Sequence, residues 1–393
     1  MTDVRTDPQQ TQQRAPLATA RPYIGGQAVL EGVMMRAPHS FSIVVRRRDG
    51  SLLVRERAVV DERIGIRRWP LVRGVSSLVE SLRLGSESLR FSVEQLEKDL
   101  AAEEAAELEK AKAGTAGLSA LLLLRAFGLS LFSLLSADDG QAVSSSADGT
   151  DAKKGGRGAM GVMLIFAIAF LIALPQAAAA GINRVFHLGL EVQSPLFQVI
   201  TGAIKLTVVV GYMLLIRRVP DIRRVFQYHG AEHKTISTYE AGEELIVANA
   251  RAKTTLHPRC GTTFLVMVAL VSILVFTAVG GLLPRIHTGS AIADNVLFFF
   301  EKLPFLPLIA AVTFEIQRVF ARYCTTGPLR ALLWPGFLVQ KITTIEPDDE
   351  QLEVALASLR ATLFREHGEV PEVADDVSFA NYEALTTASH LRS

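Results

Sequence analysis

Apolar residues in this chain are gathered into long runs rather than spread at a regular amphipathic spacing. Four such segments approach the roughly 20 apolar residues that a helix needs to cross the hydrocarbon layer. A helix in a soluble core rarely stays apolar on every side for that length. The pattern predicts a mainly α-helical, polytopic membrane protein with about four transmembrane helices. They are Ala159 to about Ile182, Leu196 to Ile216, Thr262 to Leu283, and an irregular segment from Asn295 to about Phe320 that Glu301 and Lys302 interrupt.

The residues outside the long apolar runs predict a small α+β portion. Two β-rich runs, beginning at Phe41 and Leu52, flank Asp49-Gly50, which is a strong hairpin turn signal. Helical periodicity begins near residue 71 and continues to residue 112. A second amphipathic helix is expected after Pro347, where leucines recur at helical spacing.

Changes in composition divide the chain into seven parts. One of them, an apolar stretch with Arg125 near its middle, is of borderline length and predicts an interfacial helix, with a true span as the alternative. The parts are a disordered leader (1–21), a cytoplasmic hairpin with helices (22–112), an amphipathic or interfacial helix (113–136), a linker (137–158), a transmembrane bundle (159–324) with a cytoplasmic loop (217–261), a cytoplasmic C-terminal segment with an amphipathic helix (325–368), and a flexible tail (369–393).

The distribution of basic residues predicts the orientation in the membrane. Lysine and arginine cluster before the first span, after the second, before the third and after the fourth. The two intervening loops carry only Arg184 and Arg285. The positive-inside rule therefore places both termini and the 217–261 loop in the cytoplasm. The expected location is the cytoplasmic membrane, with the lipid bilayer as partner.

Overall charge and cysteine content narrow the class further. A net charge of +1 gives no general attraction to nucleic acid, so no nucleic-acid partner is expected. The two cysteines, Cys260 and Cys324, are too few for a disulfide framework. The first 21 residues have no apolar core and do not form a signal peptide, so membrane insertion is expected to use internal segments.

The strongest chemical signal is the motif His229-x-x-Glu232-His233. On a helix, all three side chains fall on one face, because the helix repeats every 3.6 residues. Two imidazoles one turn apart can hold a divalent metal, most readily zinc, and Glu232 can deprotonate a bound water. The same order of residues defines the inverted zinc-protease signature. Glu232 is therefore the candidate catalytic base.

Three further residues compete for the remaining metal-ligand positions. Two residues separate His257 from Cys260, a spacing that suits a chelating knuckle, and a cytoplasmic thiol stays reduced. Glu315 lies inside the fourth predicted span, where a carboxylate is costly unless it is paired or ligated. The alternatives are an ion pair of Glu315 with Arg259 or Lys205 and a purely structural Cys260.

A second group of polar residues forms another candidate site. Gln27 and Glu31 are four residues apart and could share a helical face, and Glu240 follows the motif. The simpler interpretation of the stretch from Tyr23 to Arg36 is a packing segment in which glycines let the backbone bend or approach a neighbour closely.

Four blocks together resemble the YqhQ-type family of bacterial multi-pass membrane proteins. They are Gly25–Arg36, Val225–Lys234, His257–Gly261 and Gln340–Pro347. The likeness covers roughly residues 22 to 365 and is specific, because four separated blocks occur in the same order. The family is a domain of unknown function that is labelled a predicted metal-dependent enzyme. The resemblance implies an inner-membrane location and metal dependence but no substrate. The 94–158 region is longer than is typical of the family, and Thr263 stands where serine is expected.

Two functions from different classes fit these observations. The first is a membrane-embedded, metal-dependent hydrolase that acts at the cytoplasmic face on a lipid-linked molecule or a peptide segment. The alternative is a non-catalytic membrane scaffold or transport accessory protein, whose polar blocks hold the cytoplasmic portion together. Lys205 and Glu315 within the spans would suit a transport path, although four spans are few for a transporter core. Metal content separates the two classes.

Overall fold

The computed structural model describes residues 21–59, 69, 71–110, 173–284, 288–323, 328–368 and 376–388. Several predictions fall outside these residues. They are the leader (except Arg21), the interfacial helix, the linker, Cys324 and most of the first predicted span.

An antiparallel sheet forms the centre of the polar part of the molecule. Its first four strands follow one another as a meander: β1 (Gly25–Val29), β2 (Gly32–Arg36), β3 (Ser40–Arg46) and β4 (Leu52–Ala58). The predicted hairpin is confirmed, since β3 pairs with β4 across the Asp49-Gly50 turn. Gly50 has a φ of 87°, a conformation that glycine adopts without strain.

The fifth strand comes from the C-terminal tail, where the sequence predicted only a flexible segment. β5 (Val377–Phe379) pairs antiparallel with the start of β4 and completes the sheet in the order β1-β2-β3-β4-β5. Asp376 accepts two hydrogen bonds from Arg55 at 2.8 and 2.6 Å, and Leu385 is fully buried in the main core. A strand of three residues is too short to produce a recognisable alternation of polar and apolar positions.

Helices make up most of the described residues. In chain order they are α1 (Val72–Lys110), α2 (Leu174–Val185), α3 (Pro195–Ile216), α4 (Pro220–Ala241), α5 (Val247–Arg251), α6 (Gly261–Val279), α7 (Ala291–Lys302), α8 (Phe305–Tyr323), α9 (Trp334–Thr343), α10 (Asp349–His367) and α11 (Tyr382–Thr387). Short 3-10 turns cover Gly280–Leu282 and Pro328–Leu333. The predicted helix after Pro347 is confirmed as α10, which begins with a capping box formed by Asp348 and Gln351.

Two of the described helices are long and apolar enough to cross a membrane. One is α3, and the other is α6 with the turn that follows it, Gly261–Leu282. Ala293–Lys302 and Phe305–Phe320 are bent by 47° at their junction and would make a third span if they act as one. Prolines at 304 and 307 account for the break, because proline removes a helical hydrogen bond and clashes with the preceding turn. The chain is thus mainly helical, with two to three candidate spans and a small sheet.

Helices cover both faces of the sheet. On one face, α1 packs Leu84 and Phe91 against strand residues such as Ile43. On the other face, α4 and α10 share the largest core of the described chain with strand residues such as Val33 and Val44. Ser42 binds Thr362 of α10 at 2.8 Å across that face. This packing holds α4 between the sheet and the start of α6.

The loop that joins α9 to α10 packs tightly against α4 at Gly230. The Ile345 amide donates to the Phe226 carbonyl at 3.0 Å, and a Cβ on Gly230 would overlap the Ile345 carbonyl oxygen. We expect Gly230→Ala to lower the free energy of unfolding by about 1 to 3 kcal/mol, because a backbone atom cannot move aside as a side chain can. The measurement is the thermal midpoint of the detergent-purified protein.

Gly181→Ala in α2 is the matched control, since a Cβ there meets nothing within 4 Å. This control should keep or raise the midpoint, because alanine favours helix over glycine. An unchanged midpoint for Gly230→Ala would contradict the tight crossing.

Candidate metal centre

Three buried side chains converge between α4 and the start of α6. The ligand atoms of His229, His233 and Cys260 all lie within 4.8 Å of one another. His229 Nε2 is 3.2 Å from Cys260 Sγ, and the two imidazole centroids are 4.5 Å apart. Nitrogen and sulfur ligands of a tetrahedral zinc ion are separated by about 3.5 Å, so the cluster has the dimensions of a metal site. Within the described ranges, no other group of three His, Cys, Asp or Glu side chains converges in this way.

The helix α4 places both histidines on one face, as the motif predicted. It begins with Pro220 in its first turn and ends at Gly242, whose φ of 74° closes the helix in the left-handed region. His229 and His233 are one turn apart inside this helix. Cys260 is the N-cap residue of α6, so the loop after α5 carries the thiol back to α4.

Hydrogen bonds orient both imidazoles for ligation through Nε2. His229 Nδ1 lies 3.0 Å from the Thr343 carbonyl oxygen, and His233 Nδ1 lies 2.5 Å from the Thr255 carbonyl oxygen. A carbonyl only accepts, so Nδ1 carries the proton in each ring and Nε2 keeps its lone pair. Burial lowers the pKa of both histidines, which favours the neutral form that binds metals. The two rings therefore fit a cation at Nε2.

The thiol of Cys260 is also prepared for ligation. Burial alone would raise its pKa, but the neighbouring His233, together with hydrogen bonds from Thr262, brings the pKa below its ordinary value. The Thr262 hydroxyl is 3.1 Å from Sγ. A thiolate is the form of cysteine that ligates metals.

Glu232 is buried between α4 and β1. A Cβ on Gly26 of β1 would lie 2.9 Å from Glu232 Oε1, so glycine is needed for this close approach. Oε2 is buried and has no hydrogen-bond partner among the described residues. Burial raises the pKa of Glu232 to about 8, and His229 offsets this only in part. An acid with a pKa near neutrality can both accept and donate a proton in the physiological range.

The buried Glu232 makes the stability of the metal-free protein depend on pH. Because the folded pKa is about 8 and the ordinary value is 4.5, the folded protein keeps a proton that the unfolded chain loses. The free energy of unfolding is therefore expected to fall between about pH 5 and pH 8, by at most about 5 kcal/mol. The measurement is the thermal midpoint in chelator across this range.

The control for this pH dependence is Glu232→Gln, which cannot ionise. The buried histidines are common to both proteins, so the difference between the two curves isolates the carboxyl group. The curves should diverge as pH rises, with the wild type losing more stability. Parallel curves would contradict the raised pKa of Glu232.

His257 lies beside the cluster rather than within it. Its ring centroid is 5.6 Å from that of His233, but its Nε2 is directed at Glu240 Oε2, 3.4 Å away. Glu240 also forms an ion pair with Arg259. Two hydrogen bonds with the Gln340 side chain, at 2.8 and 2.7 Å, fix the backbone of His257. His257 and Glu240 thus form a neighbouring pair along the same side of α4.

The structure places Glu315 away from the three-residue cluster. It accepts two hydrogen bonds from Arg73 of α1, at 2.7 and 2.5 Å. Glu315 thus forms an ion pair, as the alternative prediction expected, but its partner is neither Arg259 nor Lys205. Gln317, two residues further along α8, is the side chain of that helix that reaches the centre, where its amide donates to the Cys260 carbonyl at 3.2 Å.

Gln27 and Glu31 do not share a helical face, which corrects that expectation. Gln27 lies in β1 with its side chain against Gly85 of α1, on the sheet face opposite Glu232. Glu31 lies in the tight turn after β1 with a φ of 51° and binds Arg224 at 2.5 and 2.6 Å. The chain reverses direction in this turn, between β1 and β2, so the spacing of four residues does not place the two side chains on one helical face.

Several residues that build the centre carried no signal of that role in the sequence. Thr255 and Thr343 act through their carbonyl groups, which every residue possesses. Gln340 was visible only as part of the Gln340–Pro347 block. Lys234 is almost fully buried. It donates a hydrogen bond to the Arg251 carbonyl at 2.9 Å and forms an ion pair with Glu346 in the loop after α9.

A cavity of about 450 Å³ opens next to the His257–Glu240 pair. Arg259 stacks over the Tyr23 ring at 4.6 Å within it. The residues that line this cavity are Arg21, Pro22, Tyr23, Ile24, Tyr239, Glu240, Pro258 and Arg259.

These features define a mainly helical protein with two to three candidate membrane spans and a buried cluster of two histidines and one cysteine beneath a five-stranded sheet. Residues 69–365 match the family described as "Protein of unknown function (DUF1385)", and the chain belongs to that family. It is 29% identical over 353 residues to the "Uncharacterized protein YqhQ" of Bacillus subtilis (strain 168), across 87% of this chain and 92% of that protein. No solved structure matches the chain.

Proposed function

We propose that this protein is a membrane-embedded, metal-dependent hydrolase that acts at the cytoplasmic face of the membrane. One observation carries the proposal. Two imidazoles converge with a thiol in a buried position. In each imidazole, Nδ1 is hydrogen-bonded to a backbone carbonyl, so the lone pair of Nε2 is free for a ligand. Three electron-donating atoms in a buried space are costly to keep together unless a cation or a proton lies between them. Zinc is the cation that best suits this nitrogen and sulfur donor set.

The residues would divide the work as follows. His229, His233 and Cys260 would hold the ion, and three protein ligands leave a fourth position open, as in catalytic zinc sites. When bound, the metal would supply Lewis-acid activation of water. Glu232 would accept a proton at Oε2, which has no competing partner among the described residues, and would pass that proton to the leaving group.

The packing of the polar elements supports a location on one side of a membrane. The sheet, α4 and α10 share one core, so the segments that contribute to it must lie on the same side. Any path between two of these segments then crosses the bilayer an even number of times. The helix α3 would be one crossing before α4, and the predicted first span, Ala159 to about Ile182, would be the other. The helix α6 and the bent pair α7 and α8 would form the return pair before α10.

The position of the cluster supports a substrate at the bilayer surface. Cys260 directly precedes the candidate span α6, so the cluster would lie at the cytoplasmic end of a membrane helix. A lipid-linked molecule or a peptide segment next to the bilayer fits this position best.

One observation favours the alternative of a non-catalytic scaffold or transport accessory protein. The side chains of His229, His233 and Cys260 are only 5%, 1% and 4% exposed, as is common in structural metal sites. In that case the ion would join α4 to α6 and stabilise the domain.

Metal analysis of the detergent-purified protein tests the proposal. The wild type should carry close to one zinc, or another transition metal, per chain, and His229→Ala/His233→Ala should lose most of it. His39→Ala/His367→Ala, which removes two exposed histidines, is the matched control and should keep the wild-type content. Equal metal content in wild type and the cluster variant would overturn the metal centre and leave the scaffold.

A further inference from the structure

A second cavity lies at the corner where α3 ends and α4 begins. It has a volume of about 490 Å³ and is lined by Leu214, Arg217, Arg218, Arg223 and Ile345. We call Arg217, Arg218 and Arg223 the arginine corner. None of the three contributes to the metal centre.

The arginine corner carries an excess of positive charge. Arg218 and Arg223 are exposed, and neither side chain forms an ion pair with any residue that the structure describes. Arg217 is held by the carbonyl oxygens of Lys341 and Ile342, at 2.7 and 3.1 Å, which neutralise no charge. Asp221 is the one acidic residue between Arg217 and Arg224 in the sequence. The corner therefore carries a net positive charge.

Arg224 differs from its three neighbours because Glu31 neutralises it through two hydrogen bonds. Orientation in the membrane requires only that basic residues be present, whether or not they are paired. It does not explain why Arg224 is paired and the arginines of the corner are not. The unpaired guanidinium groups are those that line the cavity.

Apolar surface adjoins the arginine corner on the side of α3. Leu214 and Leu215, in the last turn of this candidate span, are 47% and 63% exposed. The 3-10 turn before α9 and the first half of α9 also expose large apolar side chains, namely Leu329, Leu332, Trp334 and Leu338. Guanidinium groups beside exposed leucines match a molecule with an anionic head and an apolar tail.

We infer that the arginine corner binds the phosphate of an anionic phospholipid, with an acyl chain lying along Leu214 and Leu215. The inference rests on the membrane location proposed above and not on the metal. Arginine presents a planar fork of donors that matches a phosphate group, and Arg217 is already oriented by its two carbonyl acceptors. A free phosphate shares the head chemistry, whereas only the lipid uses the leucines.

The test is a lipid titration of the full-length, delipidated protein in detergent. Phosphatidylglycerol, phosphatidylcholine and inorganic phosphate are added separately, and the thermal midpoint and the lipid retained in native mass spectrometry are read. Phosphatidylglycerol alone should raise the midpoint of the wild type. Arg218→Gln/Arg223→Gln should bind it about 25-fold more weakly, because each arginine near an anionic lipid surface contributes about fivefold.

Two control variants keep the result interpretable. Arg83→Gln/Arg90→Gln removes the same charge from two exposed residues of α1 and should bind as the wild type does. Arg218→Lys/Arg223→Lys keeps the charge and should retain most of the affinity. Equal weakening in both glutamine pairs would overturn the site, and stabilisation by inorganic phosphate as strong as that by the lipid would overturn the lipid assignment.

Metal content, measured on the same samples, separates this inference from the proposed enzyme. The arginine variants should keep the wild-type content. The His229→Ala/His233→Ala protein should keep its affinity for phosphatidylglycerol. Loss of lipid binding in the histidine variant would contradict the independence of the two sites.

Discussion

Cys260→Ser is expected to bind zinc at least about 100-fold more weakly than the wild type. Substitution of a residue that only hydrogen-bonds to a metal ligand already lowers metal affinity by about 10- to 100-fold. Loss of a ligand itself should therefore lower the affinity by more. Serine keeps the size of the side chain, but its hydroxyl does not ionise as the thiol does. The measurement is competition against a chromophoric chelator, with the elution profile of the purified protein as the check on folding.

His257→Gln and Glu315→Gln are the controls for this prediction, because sequence reasoning left all three residues as candidate ligands. Glu315 is bound by Arg73, and its substitution should leave zinc affinity unchanged. His257 faces Glu240, so its substitution should cost much less than that of Cys260. A larger loss for His257→Gln than for Cys260→Ser would make His257 the third ligand.

Glu232→Gln is expected to keep one metal per chain and to abolish the ability of the gene to complement a deletion strain. Glutamine preserves the size of the side chain next to Gly26 but cannot accept a proton. Loss of a positioned general base typically lowers a rate by about 100- to 10,000-fold, which is enough to prevent complementation. Metal content and complementation, measured on the same variant, separate a proton-transfer role from a ligand role.

Glu240→Gln is the matched substitution for Glu232→Gln. Glu240 lies on the same helix and near the same centre, but it is partly exposed and already paired with Arg259. Its variant should complement. Full complementation by Glu232→Gln, with normal metal content, would contradict proton transfer by the motif and would favour a structural ion.

The parts of the fold that sequence predicted are those encoded by local patterns. Apolar runs of membrane length coincide with α3 and α6, which are the two described helices long and apolar enough to cross a membrane. The hairpin of β3 and β4 follows from the Asp49-Gly50 turn, which fixes its own backbone geometry. The one-turn spacing of His229 and His233 placed them on one face for the same local reason.

The parts that sequence could not predict depend on contacts between distant segments. Glu315 was identified as an acid in need of a partner, but the partner is 242 residues away on α1. The strand β5 gains its backbone partners only because β4 offers a free edge. Gln27 and Glu31 suggested a helix through their spacing, yet glycines on either side allow two short strands and a tight turn instead. Spacing alone could not decide between His257 and Cys260, since both lie on the same loop.

The core that encloses the candidate metal centre joins segments that are far apart in the sequence. Ser42 of β3 meets Thr362 of α10 across 320 residues, and every apolar helix of the described chain lies between them in sequence. During synthesis, the strands therefore leave the ribosome long before the helix that covers them. The face of β1 to β4 that receives α10 must remain uncovered by that helix, or be protected by another protein, until α10 has been synthesised. Closure of the core over the motif therefore has to wait for a helix that follows every candidate span in the chain.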